Sequence, residues 1–240
     1  MKRNDIKIVA IIGSPRRGDS YCVIQVFESK LKAIEKAVKF DYIFLRDLKI
    51  DFCRGCMQCF KEGEEFCPEK EKTLKIRDKM LESDGVIFAS PVYAHNVTAL
   101  YKNFIDHFSY MFHRPRFFDK YAVVLATTGG AGLEIVLKYL ESAKFWGFNV
   151  VGKIGVIGWK FKYLSDYRKD KEQEIEKIAE KLVRAIKGKP PHKPDAEQIG
   201  FFREMKKLMK SNYSKYFPAD YKYWKEMGWF NMEYFVNVEH

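Results

Sequence analysis

Long apolar runs are missing from this chain. The stretch from Ile6 to Gly13 is only eight residues long, apolar or near-apolar apart from Lys7, before Ser14-Pro15. A membrane helix needs about 20, and no small-residue cleavage site follows to mark a secretory leader. Histidine is scarce, with five in 240 residues. No Ser–His–Asp set and no metal-binding histidine pair emerges, so hydrolase chemistry has no foothold. Nucleic-acid motifs are absent too. The net charge of +11 comes from lysines spread along helix faces, which reads as a solvated surface that attracts anions. Internal repeats and low-complexity tracts are also lacking. These absences predict a cytoplasmic protein that engages neither membrane nor nucleic acid. In that compartment cysteines stay reduced and serve metals or catalysis rather than structural disulfides.

Cysteine is nearly absent outside one segment. Four of five, Cys53, Cys56, Cys59 and Cys67, fall within fifteen residues as C-x2-C-x2-C-x7-C, with Pro68 next. Thiols this dense serve an iron–sulfur cluster, zinc or redox disulfides. Four thiolates on a Gly-containing loop could wrap a cubane or a zinc ion equally well. Cys22, on the first helix beside Val26, reads as a small core residue.

What is present is an alternation of apolar runs and helical stripes. Ile6–Ile12, interrupted only by Lys7, has the pattern of a strand buried on both faces. Val23, Phe27, Leu31, Ile34 and Val38 then stripe one helix. Further strands are predicted at 40–45, 86–89, 121–126 and 150–157. Helices are predicted at 73–81, around Leu100, Phe104 and Phe108, at 133–145, and along Ile175, Ile178, Leu182 and Ile186. Strands alternating with helices imply right-handed βαβ units. Five strands predict an α/β, flavodoxin-like, doubly wound parallel sheet of order 2-1-3-4-5. Residues 1–188 form this unit. Beyond it, Lys189-Pro190-Pro191-His192-Lys193-Pro194 is a stiff linker, with His240 at the far terminus. Between them lies an aromatic-rich extension (Tyr213, Tyr216, Phe217, Tyr221, Tyr223, Trp224, Trp229, Phe230, Tyr234, Phe235). So much aromatic surface predicts burial on the parent domain or on a second subunit, as in a homo-oligomer (dimer or tetramer).

Ligands of such sheets bind beyond the carboxyl ends of the strands. After the first strand comes Gly13-Ser14-Pro15-Arg16-Arg17-Gly18-Asp19-Ser20. It nearly matches a triphosphate loop, but Asp19 replaces the lysine and would repel β- and γ-phosphates. Hydroxyls, amides and Arg16 at a helix start suit a single phosphate instead; the plainer alternative is a turn capped by Asp19 or Ser20. After the third strand, Ser90-Pro91-Val92-Tyr93-Ala94-His95-Asn96-Val97 makes a rigid turn with flat Tyr93 and His95 faces for a planar ring. After the fourth, Thr127-Thr128-Gly129-Gly130-Ala131-Gly132 lets backbone amides approach a ligand. His107 and His113, beside aromatic residues, read as packed side chains.

These loops, together with Leu100-Tyr101-Lys102-Asn103-Phe104-Ile105-Asp106 and the cysteine block, resemble the NAD(P)H-dependent FMN reductase and iron–sulfur flavoprotein group of the flavodoxin superfamily over about residues 5–160. The resemblance implies that Ser14, Arg16, Asp19 and Ser20 hold the FMN phosphate. It places Pro91, Val92, Tyr93 and Asn96 at one edge of the isoalloxazine and Thr128, Gly129 and Gly130 at the other. It offers Cys53, Cys56, Cys59 and Cys67 as ligands of a [4Fe–4S] cluster, although flavin-only relatives keep similar cysteines without one. Two departures stand out. The group has an amide where Asp19 stands, and an arginine where His107 follows the helical Asp106.

Three functions follow as expectations. The first is an FMN-dependent oxidoreductase passing electrons from NAD(P)H to a small-molecule or protein acceptor, with the chemistry carried by the flavin rather than by a catalytic side chain. The second is an electron carrier linking a ferredoxin-like partner to FMN through the cysteine cluster. The third is a redox sensor that forms a reversible disulfide within Cys53–Cys67.

Overall fold

The computed structural model describes residues 5–235; His240 lies outside them. Five strands, β1 (Ile6–Ile12), β2 (Val38–Phe44), β3 (Gly85–Pro91), β4 (Tyr121–Thr128) and β5 (Asn149–Ile157), form one parallel sheet of order β2-β1-β3-β4-β5. This is the expected flavodoxin-like order.

The alternation of side chains splits the core in two. Ile8, Ala10, Ile12, Ile87, Ala89, Val123 and Leu125 face α1 (Asp19–Ile34) and the later long helix, Ser165–Gly188. Val9, Ile11, Val86, Phe88, Val124 and Ala126 face the opposite layer. The segment between β2 and β3 carries the short helices α2 (Leu45–Leu48) and α3 (Gln58–Lys61), then α4 (Lys70–Glu82). The opposite layer consists of α4, α5 (Ala99–His107) and α6 (Leu133–Leu140), the last followed by a 3-10 segment, Glu141–Trp146. After β5 come α7 (Gly158–Tyr163) and α8, the long helix already named.

Two sequence expectations need correction. Val38 does not continue the first helical stripe: α1 ends at Ile34 and Val38 opens β2, pairing with Ile6. Cys22 is exposed rather than core. The buried face of α1 is Ser20, Val23, Ile24, Phe27 and Leu31, and Cys22 falls just outside that stripe.

Residues 189–195 run without helix or strand into α9 (Ala196–Lys210), α10 (Tyr213–Tyr216) and α11 (Pro218–Glu226). Asp195 and Gln198 form a reciprocal capping box at the start of α9. Phe202, Met205, Met209, Trp224, Met227, Trp229 and Phe235 make a separate apolar cluster that closes on Phe118 just ahead of β4. Trp224 Nε1 donates to the His113 carbonyl at 2.7 Å. Among the described residues, no helix is long and apolar enough to cross a membrane.

Candidate functional site

Three loops meet at the carboxyl edge of the sheet, and short bonds fix their spacing. Gly13 N donates to Ala89 O at 2.8 Å, and Thr98 Oγ1 donates to Gly13 O. A Cβ on Gly13 would stand 2.6 Å from Tyr101 Cβ, so only glycine lets the first loop pass over α5. Ser20 and Thr127 share a buried hydroxyl pair at 2.7 Å. Val92 N donates to Thr127 O at 2.7 Å.

Within the first loop, the Ser14 hydroxyl donates to Arg16 O at 2.6 Å and accepts from Arg16 N. The cap of α1 is Gly18, with no side-chain capping bond, so neither Asp19 nor Ser20 caps the helix. Asp19 lies over the end of β5, where an ideal Cβ on Gly158 would be 2.1 Å from its Oδ2. It lines a groove there with Cys22, Lys162 and Arg168.

Pro91 ends β3, and Tyr93 to Asn96 closes a tight turn. Tyr93 N donates to Asn96 O at 2.8 Å, and Asn96 N to Tyr93 O at 2.9 Å. Ala94 and His95 between them have φ of 48° and 59°, an uncommon and costly backbone for residues with a Cβ. Tyr93 is exposed. In the fourth-strand loop, Thr128 Oγ1 donates to Ala131 O at 2.7 Å and accepts from Gly130 N. Gly132 has φ +89°, and a Cβ there would meet Val92 Cγ1 at 2.8 Å. Gly129 and Gly130 face open space. The structure thus gathers the predicted residues of all three loops along one edge, leaving exposed glycine backbone and a flat tyrosine. These features fit a flat ring carrying a single phosphate.

The cysteines form a second centre. All four line one cavity of about 60 Å³ with Phe52, Met57, Phe60 and His107. Cys53 and Cys56 are exposed, while Cys59 and Cys67 are half-buried. Gly55 and Met57 take left-handed backbones, φ 63° and 61°. Among the described residues, no three His, Cys, Asp or Glu side chains stand together as a preformed metal site. By ligand type, four thiols suit a cluster or a soft metal, but their geometry is not preset. Burial pushes the Cys59 thiol up to about 12, against the pull of the Arg114 guanidinium. Burial also raises Cys67.

Several residues that support this cavity carry no role in the sequence reading. Asn103 accepts from Cys53 N at 3.1 Å and donates to Ile50 O and Asp51 O. His107 Nε2 meets Asp51 O at 2.8 Å, and its Nδ1 lies 3.8 Å from Cys67 Sγ. His107, the departure noted after Asp106, is therefore a strut of the cysteine segment. A polar pair four residues apart on an apolar helix was a visible signal for it. Glu64, Arg114 and Asp220 are also buried beside the segment, and their spacing in sequence gave no such signal. Burial would raise the Glu64 carboxyl, but the Arg116 and Arg114 guanidiniums outweigh it and hold Glu64 below the ordinary range.

The profile of the NADPH-dependent FMN reductase family matches residues 6–160, which span all five strands and both centres. The chain belongs to this family. Within it, the chain groups with iron–sulfur flavoproteins. It is 31% identical over 229 residues to an "Iron-sulfur flavoprotein" of Archaeoglobus fulgidus, covering 93% of this chain and 99% of that one. A second, from Clostridioides difficile, is 29% identical over 189 residues, covering 77% and 82%. An azoreductase structure from Bacillus anthracis superposes with a TM-score of 0.58 at 19% identity, over 73% of this chain and 99% of that one. That likeness speaks to the fold. The chain is thus a flavin-reductase-like flavoprotein of the oxidoreductase class.

Proposed function

We propose that this flavoprotein seats FMN on the β1, β3 and β4 loops and holds an iron–sulfur cluster with Cys53, Cys56, Cys59 and Cys67, exchanging electrons between the two. The observation that carries this reading is the single cavity lined by all four cysteines. The full-length likeness to relatives named iron–sulfur flavoproteins supports it.

When bound, FMN supplies hydride and single-electron chemistry, and a cluster supplies single-electron transfer. The protein's residues bind and orient. The loop amides and Arg16 would meet the phosphate at the start of α1, while buried Ser14 and Ser20 keep that loop in shape. The Asp19 carboxylate is directed toward Gly158, which relieves the repulsion expected from its place in the loop. Pro91, Val92, Tyr93 and Asn96 would flank one edge of the ring, and Thr128, Gly129 and Gly130 would offer backbone at the other.

Oxygen-free purification followed by iron, sulfide and flavin analysis tests this. The expected result is iron and acid-labile sulfide beside FMN. In Cys56→Ser, the iron chromophore should vanish while FMN stays. A yellow protein without iron would remove the cluster. A colourless chain that FMN does not quench would remove the whole reading.

The second reading is NAD(P)H-driven reduction, favoured by the family match. Stopped-flow mixing with NADH and with NADPH should bleach the oxidised flavin with at least one. Failure of both leaves a protein partner as the electron source.

A further inference from the structure

The four-cysteine segment is fastened from the far end of the chain. Arg114 is almost fully buried and makes three contacts at once. Its NH2 donates to the Cys59 carbonyl. Its NH1 pairs with Glu64 Oε2 at 3.0 Å, between Cys59 and Cys67. Its Nε lies 3.0 Å from Asp220 Oδ1 on α11. Neither Arg114 Nε nor Asp220 Oδ1 makes an aligned hydrogen bond, with each other or elsewhere, so the 3.0 Å contact between them is an ion pair of two buried charges.

Asp220 is fully buried. Its second oxygen meets His113 Nδ1 at 2.7 Å and accepts from the Tyr213 hydroxyl at 3.1 Å. Glu64 is gripped further by Arg116 at 2.7 Å and Arg77 at 3.2 Å. A buried carboxylate that faces a buried guanidinium fixes its direction, because turning either away strands a charge out of water. The planar fork of Arg114 transmits that direction to a main-chain carbonyl and a carboxylate in fixed geometry.

We propose that Asp220 is a positioning residue for the cysteine centre: it orients Arg114, and Arg114 sets the main chain from Cys59 to Cys67. The C-terminal extension thereby shapes a site to which it contributes no cysteine. This rests on the cluster reading for its redox meaning, and its test is readable without a cluster.

In the metal-depleted full chain, brief N-ethylmaleimide labelling followed by peptide mass spectrometry reports each thiol separately. Wild type should label Cys53 and Cys56 quickly and Cys59 and Cys67 slowly. In Asp220→Asn, labelling of Cys59 and Cys67 should rise about tenfold, as expected when a buried pair is broken, with Cys53 and Cys56 unchanged. Tyr213→Phe removes only one hydroxyl from Asp220 and should raise the same two rates by about threefold; it decides the matter if Asp220→Asn does not fold. In an Arg114→Lys background, Asp220→Asn should add less than about twofold, because the two act as one unit.

Rates at Cys59 and Cys67 within twofold of wild type, an equal rise at all four thiols, or effects that multiply in the double variant would overturn the proposal. In anaerobically purified protein, Asp220→Asn should also shift or broaden the iron absorption while FMN content holds. A wild type that lacks iron defeats the cluster reading, while the labelling result still decides the role of Asp220.

Discussion

The three-loop edge and the cysteine cavity are built by opposite means. At the sheet edge, order comes from the backbone. Neighbouring parallel strands deliver the loops to one place, and glycines at 13 and 132 permit contacts that a Cβ would forbid. Buried neutral hydroxyls such as Ser20 and Thr127 then join the loops. In the cysteine cavity the backbone is irregular and order comes from side chains far apart in sequence: Asn103 and His107 from α5, Arg114, and Asp220 from α11. A site laid down by topology tolerates change in its side chains, whereas one pinned by buried charge depends on every partner. The first can be recognised from a strand pattern. The second needs the folded chain.

The sharpest way to break this contrast is Trp224→Ala. That ring is fully buried in the extension's core, and its loss should lower stability by about 3–5 kcal/mol in denaturant titration. Slow labelling at Cys59 should disappear while FMN still binds at the sheet edge. Equal loss of both functions would mean that the two regions are one.

Gly132→Val reverses the pattern. The residue has φ +89° and Val92 Cγ1 stands 2.8 Å from its Cβ position, so a cost of about 1–3 kcal/mol is expected. FMN affinity by fluorescence quenching should weaken at least tenfold, with thiol labelling unchanged. Ser20→Ala, which leaves Thr127 Oγ1 buried without this partner, should cost about 1–2 kcal/mol by thermal melting and disturb only the sheet edge.

The smallest effect concerns pH. The Asn149 amide donates to Phe118 O and Lys120 O, so its oxygen accepts from His192 Nδ1. His192 Nε2 then faces the Gln198 amide and the Tyr234 hydroxyl. Burial lowers the His192 pKa from its ordinary 6.5. The unfolded chain therefore binds the proton first, and stability should fall as pH drops below 6.5 toward the lower folded value, with no change above 6.5. His192→Gln should flatten that slope in pH-dependent denaturation.

Much of the fold was legible because its code is local. Ile6–Ile12 and Val86–Ala89 read as buried strands, and their apolar runs needed no partner to be recognised. Val38 was misplaced because apolar spacing alone cannot see where a helix stops and a strand begins. Cys22 was misassigned because one step around a helix moves a residue from core to surface. The shapes of the three sheet-edge loops were legible through their glycines and prolines, which report backbone conformation directly. Glu64, Arg114 and Asp220 were illegible as a set because a charged residue in sequence gives no sign of being buried, and the pairings of Arg114 with Glu64 and with Asp220 reach across 50 and 106 positions.

The Asp220–Arg114 contact has a consequence for biosynthesis. During translation the last cysteine emerges about 150 residues ahead of Asp220, so nascent chains hold their thiols on an unfastened segment. The segment would then be pliable before α11 is made and latched once α11 has folded. Folding of α11 would mark the moment the segment is latched.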